Sequence, residues 1–341
     1  MKISDYTYKL PQSLIADNPP KIRGTSRLLV LDKNRGNIVD SKYANISEYL
    51  SKGDVLVLND TKVIKARLFA TDERGRKREI LLLEKHGFDN DWHRHSVLYS
   101  RKLRKGDELL VGDSRIIVDQ VLGDGVAIVK SDQDLLEIAE NYGIVPLPPY
   151  MNRDANQNDV ERYQTVWAKE KGSVAAPTAS LNMTDDILTT LRNKGVLVVY
   201  LTLHVGLGTF LPIRTDDIED HNMHQEYFQI AKNTTDVIQK AKLDGKKVIA
   251  LGTTVARTLE YAHKSFLKPP ADISGEADIF IYPGYQFQVI DGLLTNFHAP
   301  KSTVLMLTAA FAGWGRLLPA YEHAINENYL FFSYGDSMLI L

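Results

Sequence analysis

Residues 246–263 read KKVIALGTTVARTLEYAH, and this stretch decides the fold. The short apolar run at 247–251 predicts a buried strand, and residues 254–263 read as a helix. Between them stand Gly252 and two threonines. Units of the same kind lie on both sides. Upstream, Thr184 is an N-cap with Asp185 and Asp186 in the first turn, Gly195 ends that helix, and 196–203 is a strand. Residues 234–243 form a helix closed by Gly245. Downstream, 279–282 is a strand, and 303–311 and 320–326 are helices. Strands alternating with helices predict an α/β layer on a mainly parallel or mixed sheet.

The first half has a different texture. Residues 26–31 and 37–40 are strands around a turn, 44–50 is a helix, and 55–58 is a buried strand. From 63 to 131 the pattern is β throughout, with strands at 80–83, 96–99, 108–111, 116–121 and 126–129 between Gly, Asp and Asn clusters. Regular short strands argue a small barrel or sandwich. A helix at 135–142 and an extended linker at 146–150 follow. The expected fold is therefore α/β (mixed α+β), a large α/β domain with an inserted small β-barrel-like domain. Residues 1–65 and 144–341 form the discontinuous α/β domain, and 66–143 the insertion.

The 341 residues suffice to bury a core without staples. Having no cysteine, the chain has no disulfide, Cys-ligated zinc or thiol nucleophile. The N-terminus lacks the apolar segment of a secretory signal. The longest apolar runs fall short of the ~20 residues a membrane span needs. A cytoplasmic, monomeric protein without membrane contact is expected. Net charge is −2, but residues 62–105 hold 13 Lys+Arg against 6 Asp+Glu, a local +7. That stretch is either the footprint of a phosphate backbone or a solvated face. Its candidate RNA contacts are Arg76, Lys77, Arg78, Arg101 and Lys102.

Several polar loops at element ends could carry chemistry. His204 ends an apolar strand, and Gly206 and Gly208 follow it, where backbone can approach a ligand closely. Gly252-Thr253-Thr254 before a helix is a ready anion site with Arg257 one turn on; ordinary capping by Thr253 explains it equally well. Asp220-His221-Asn222-Met223-His224-Gln225-Glu226 matches no common zinc signature, so no metal is expected. His224 is there either as one of a surface pair or as a proton-transfer group. Asn296 and His298 would leave one face of a short strand, and Ser333-Tyr334-Gly335-Asp336 precedes an apolar terminal strand. Together these loops are what a catalytic cleft requires.

These strings carry a resemblance. Ser26-Arg27-Leu28-Leu29-Val30, Asn59-Asp60-Thr61-Lys62-Val63-Ile64, Glu161-Arg162-Tyr163-Gln164-Thr165-Val166 and Val174-Ala175-Ala176-Pro177-Thr178-Ala179 are similar to stretches of the S-adenosylmethionine:tRNA ribosyltransferase-isomerase family of the queuosine pathway. So are 204–210, 220–226, 278–285, 295–303 and 332–336, in one order from end to end. The resemblance implies a tRNA carrying 7-aminomethyl-7-deazaguanine at the wobble position, and S-adenosylmethionine as ribosyl donor. It implies epoxyqueuosine in the tRNA, with adenine and methionine released. A base must take an acidified C5′ proton, an acid must help adenine leave, and histidine suits both tasks. The expected proton-transfer groups are His204, His298, His224 and Asp336. The expected co-substrate contacts are Thr178, Asn182, Gly206, Gly208, Thr253, Thr254, Arg257 and Asn296, with Arg257 and the two threonines on the methionyl carboxylate. Two positions depart from the family pattern. Asn182 stands where a histidine is usual, and Val255-Ala256 where Ser-Val is usual. A relative acting on another amine, or an RNA-binding protein without catalysis, are the rival readings.

Overall fold

The computed structural model describes every residue except 88–90, 207–212 and 214. Strands β1 (Arg27–Leu31) and β2 (Ile38–Lys42) form a hairpin, and β3 (Val55–Asn59) and β4 (Thr61–Val63) follow. Next come β5 (Arg67–Asp72), β6 (Lys77–Leu82), β7 (Arg94–Tyr99), β8 (Glu108–Val111), β9 (Ser114–Gly123) and β10 (Val126–Lys130). These six close into an antiparallel barrel in the order β10-β7-β6-β5-β8-β9. Closure removes the unpaired edges that so many short strands would otherwise expose.

Helix α1 (Leu135–Tyr142) follows, capped by the Asp134 carboxylate, which accepts from the Leu136 and Glu137 amides. Then come α2 (Gln157–Arg162), β11 (Glu170–Ser173), α3 (Asp185–Asn193) and β12 (Leu197–Leu203). After them stand β13 (Glu226–Ile230), α4 (Lys232–Leu243), β14 (Val248–Leu251), α5 (Thr253–Tyr261), β15 (Ile273–Ala277) and β16 (Gly292–Asn296). The chain ends with α6 (Thr303–Ala312), α7 (Trp314–Asn326) and β17 (Ser337–Ile340). The large sheet has nine strands in the order β15-β13-β12-β3-β14-β16-β17-β1-β2. Its centre, β12-β3-β14-β16, is parallel, and both flanks contain antiparallel pairs. The architecture is the mixed α/β sheet with a small barrel that the sequence predicts.

Period-two sorting builds the layers. Leu29, Leu31, Val55 and Val57 enter one apolar cluster with α5, α6 and α7, while Leu28, Val30, Leu56 and Leu58 enter another with α3. The barrel encloses a third cluster, including Leu68, Ile80, Val97, Ile116 and Val129.

Some elements differ from expectation. The helix expected at 44–50 is a short 3₁₀ segment, Tyr43–Glu48. Residues 279–282 form no strand, and the true strand is β15, whose Ile273–Ala277 carries Gly and Glu and lacks a strong apolar run. Helix α7 starts six residues before 320 and contains Pro319, where the sequence suggests a boundary.

Candidate active site

The carboxyl ends of β3, β12, β14 and β16 lie side by side, and the segments that follow β12, β14 and β16 border an open cleft of about 740 Å³, solvent at its mouth included. This is where parallel α/β sheets bind ligands. Thr178, Thr253, Thr254, Asn296 and His298 all line it, so five of the expected residues come together.

Each is placed by its local structure. Gly252 ends β14 with φ +98, a conformation that favours glycine, and so turns the chain into α5. Among the described residues no side chain caps this helix, so the capping role open to Thr253 is not used and the first residues of α5 line the cleft uncapped. The Thr254 hydroxyl, buried and at the cleft wall, has no hydrogen-bond partner among the described residues. Asn296 is the last residue of β16; its Oδ1 accepts from Thr178 Oγ1 at 3.0 Å, and its Nδ2 donates to the Asp336 carbonyl at 3.3 Å. His298 follows that strand. Its Nε2 lies 2.8 Å from Thr295 Oγ1, its amide donates to the Tyr321 hydroxyl at 3.0 Å, and its carbonyl accepts from Tyr8 Oη. Burial pushes the His298 imidazole down to about 3, so the ring is neutral at neutral pH. Nδ1 makes no hydrogen bond to the described residues, which leaves one nitrogen for a ligand.

Other expected residues lie elsewhere. His204 is buried behind the wall: Val205 lines the cleft, while the His204 ring stacks on Tyr227 and its Nδ1 meets Thr61 Oγ1 at 2.9 Å. Burial, with the charge of Lys85, lowers its pKa to about 4. Asn182 is 2% exposed and is not part of the lining of this cleft. Its Oδ1 accepts from Ser26 Oγ at 2.7 Å and its Nδ2 donates to the Gly335 carbonyl at 3.0 Å. The Asp336 carboxylate is spent on the amides of Arg27 and Leu330, at 2.7 and 2.8 Å. Gly208 lies outside the described residues. Val255 is fully buried in the core below the cleft, so a serine there would not face it.

Arg257, His224 and Gly206 meet in a second group. The Arg257 guanidinium donates to Glu226 Oε2, and both side chains are almost wholly buried. Glu226 Oε1 accepts from the Gly206 amide at 2.9 Å and lies 3.3 Å from His224 Nε2. Burial and the Arg257 charge lower His224 to about 4. A Cβ on Gly206 would sit 2.3 Å from the Glu84 carboxylate, the far end of a side chain that would have to move aside. His86, beside Glu84, reaches Glu276 on β15 at 2.9 Å. Arg257 also borders an apolar cleft that shares Thr253, Thr254 and Val304 with the main one.

On the barrel, Arg76 and Arg78 both pair with Asp72, at 2.9 and 2.8 Å. Lys77, Arg101 and Lys102 are exposed and have no ion pair among the described residues. The pairing of Ile80 with Tyr99 brings 77–78 and 101–102 to one end of the barrel. No cluster of three or more His, Asp or Glu side chains arranged for a metal occurs among the described residues. No single helix among them is long and apolar enough to cross a membrane.

Sequence reasoning missed part of the cleft wall. Tyr150, expected in a linker, and Phe332 line it, beside Ser333 from the polar loop already singled out. The signal available was the aromatic run Tyr329 to Tyr334 beside the polar loop.

With this geometry in place, comparison with known proteins is decisive. A family model described as queuosine biosynthesis protein matches residues 3–340. The chain belongs to that family. It is 53% identical to the S-adenosylmethionine:tRNA ribosyltransferase-isomerase of Chlorobium phaeobacteroides over 345 residues, covering 100% of both chains. It is 46% identical to the enzyme of that name from Staphylococcus epidermidis, again covering 100% of both. The crystal structure of S-adenosylmethionine tRNA ribosyltransferase from Thermotoga maritima is similar at TM-score 0.57 and 33% identity, covering 99% of this chain and 100% of that one.

Proposed function

We propose that this chain is a tRNA-modifying transferase. It moves and isomerises the ribosyl moiety of S-adenosylmethionine onto 7-aminomethyl-7-deazaguanine at the tRNA wobble position, and it releases adenine and methionine. Beyond family membership, one observation supports the site: the uncapped start of α5 and the neutral His298 share one cleft.

The chemistry follows from the residues. The α5 amides and the Thr254 hydroxyl offer donors to the methionyl carboxylate. Arg257, occupied by Glu226, acts through its charge near that helix rather than as a direct clamp. His298 is held by Thr295, and a neutral imidazole accepts a proton at one nitrogen and donates at the other. It is the proton-transfer group we assign. Asn296 and Thr178 bind one another and orient the floor. The inserted barrel, read as residues 66–143, offers Lys77, Arg101 and Lys102 to the tRNA backbone. They stand roughly 17 Å along β6 from the end nearest the sheet, by strand rise. A monomer in the cytoplasm fits this role.

Adenine release from S-adenosylmethionine tests the proposal, with and without tRNA carrying the modified base. Release that depends on that tRNA is expected. Release with unmodified tRNA would indicate a different acceptor, and no release under any condition would overturn the assignment.

A further inference from the structure

Phe332 has a backbone conformation that phenylalanine seldom adopts. Its φ is +72, in the left-handed region where a bulky side chain is strained. Such strain persists only where neighbours over-determine it, and it gathers at functional sites. Here the neighbours are visible. The Phe332 amide donates to the Phe297 carbonyl at 3.1 Å, the Gly335 amide donates to the Phe332 carbonyl at 3.0 Å, and the Ser333 amide donates to Tyr150 Oη at 3.1 Å. The strained turn separates two adjacent rings. Phe331 is fully buried against Phe297, while Phe332 is half-buried and lines the cleft. Tyr150 braces it edge-to-face, with centroids 4.7 Å apart and planes at 62°, and is itself held by Ser333. A glycine or asparagine would make this turn without strain. The chain instead places an oriented aromatic ring at the wall of a site with polar groups opposite.

We propose that Phe332, braced by Tyr150, is the stacking wall for a flat purine-like ring in this cleft. The inference rests on the proposed function, whose two substrates each bring such a ring: the adenine of S-adenosylmethionine and the 7-deazaguanine of the acceptor. The Phe332 face binds by stacking, which is sequence-tolerant but needs a π surface.

Calorimetry on the full chain tests it, with S-adenosylhomocysteine and free 7-aminomethyl-7-deazaguanine as separate probes. Phe332→Leu keeps apolar bulk and removes the π face; Phe332→Tyr keeps the ring. For the probe that stacks, Phe332→Leu should raise Kd roughly five-fold or more, and Phe332→Tyr should stay within about two-fold. The arm that loses affinity names the ring. Both variants should match the parent's thermal midpoint within a few degrees, and Phe332→Ala serves if Phe332→Leu does not fold. Unchanged affinity for both probes in a folded Phe332→Leu or Phe332→Ala variant would overturn the stacking wall alone. Failure of the parent protein to bind either probe would overturn the cleft's assignment and this inference with it.

Discussion

The cleft and the seam between sheet and barrel contain the same kinds of residue, and the seam ties them together by charge where the cleft does not. In the seam, Arg257, Glu226 and the Gly206 amide are bound to one another and His86 joins Glu84 to Glu276, while Arg257 Nε, Glu84 Oε2 and His224 Nε2 have no hydrogen-bond partner among the described residues. In the cleft, the α5 amides, the buried Thr254 hydroxyl at the wall and His298 Nδ1 have no such partners among the described residues. A buried polar group that has spent its hydrogen bonds holds structure, and one that has not is available to a ligand. By that criterion the Asp336 carboxylate belongs to the frame. His298 and His204 each make one ring-nitrogen hydrogen bond among the described residues, and what separates them is position: His298 lines the cleft and His204 lies behind it.

The largest effect should come from removing the cleft's titratable group. His298→Ala should lower turnover by roughly 100- to 10,000-fold, the range for losing general acid–base help, while tRNA affinity is kept. His204→Ala should lower it far less. Steady-state adenine release with a separate tRNA-binding measurement checks both, and equal losses in the two variants would erase the distinction between them.

In the seam, stability should move instead. Glu226→Ala leaves Arg257 buried without its partner and should cost about 3–5 kcal/mol in urea unfolding. Glu226→Gln keeps the shape and should cost less. A change below about 1 kcal/mol in Glu226→Ala would mean that solvent reaches the pair.

Strand periodicity made the layers legible in the sequence, because alternate residues of β1 and β3 sort to opposite faces. Five of the six barrel strands were legible through their turn residues, and β5 was not placed. β15 was not, since its order comes from pairing with β13 rather than from its own residues. Among site residues, the loops after β14 and β16 were readable because a strand end followed by Gly-Thr-Thr or Asn-Phe-His has local meaning. His204 was misleading for a physical reason: alternation along the strand end puts Val205, not His204, into the cleft. Nor could sequence show that Arg257 is taken by Glu226, thirty-one residues away.

The barrel cations sharpen the contrast between spent and unspent groups. Reversing the charge of Lys77, Arg101 and Lys102 should flatten the salt dependence of tRNA binding, with each lost phosphate contact removing roughly 0.7–0.9 from the slope. Arg76 and Arg78, held by Asp72, should contribute less. Equal effects from both sets would show that tRNA displaces Asp72.

A smaller effect follows from His86. The carboxylates of Glu84, 3.8 Å away, and Glu276, hydrogen-bonded at 2.9 Å, raise its pKa to about 9. The folded value lies above the unfolded one, so its stabilisation is full below about pH 6.5 and is lost as pH rises through about 9. The thermal midpoint should decline slightly across that window, and His86→Gln should remove the part of the decline due to this residue. An identical slope in the variant would mean that the seam does not hold the proton.

The smallest effect is expected at Asn182, the position where the family pattern has histidine. Its side chain accepts from Ser26 and donates to Gly335, tying the start of β1 to the loop before β17. Neutral histidine has one acceptor and one donor nitrogen, so it can make both bonds, whereas alanine can make neither. Asn182→His should therefore change turnover by no more than about tenfold, a ~1.4 kcal/mol effect on the barrier. Asn182→Ala should lower stability by about 1–3 kcal/mol through two unpaired buried groups. A gain of several orders of magnitude in Asn182→His would mean that a titrating group is needed there, and the rule that spent groups hold structure would fail at this site.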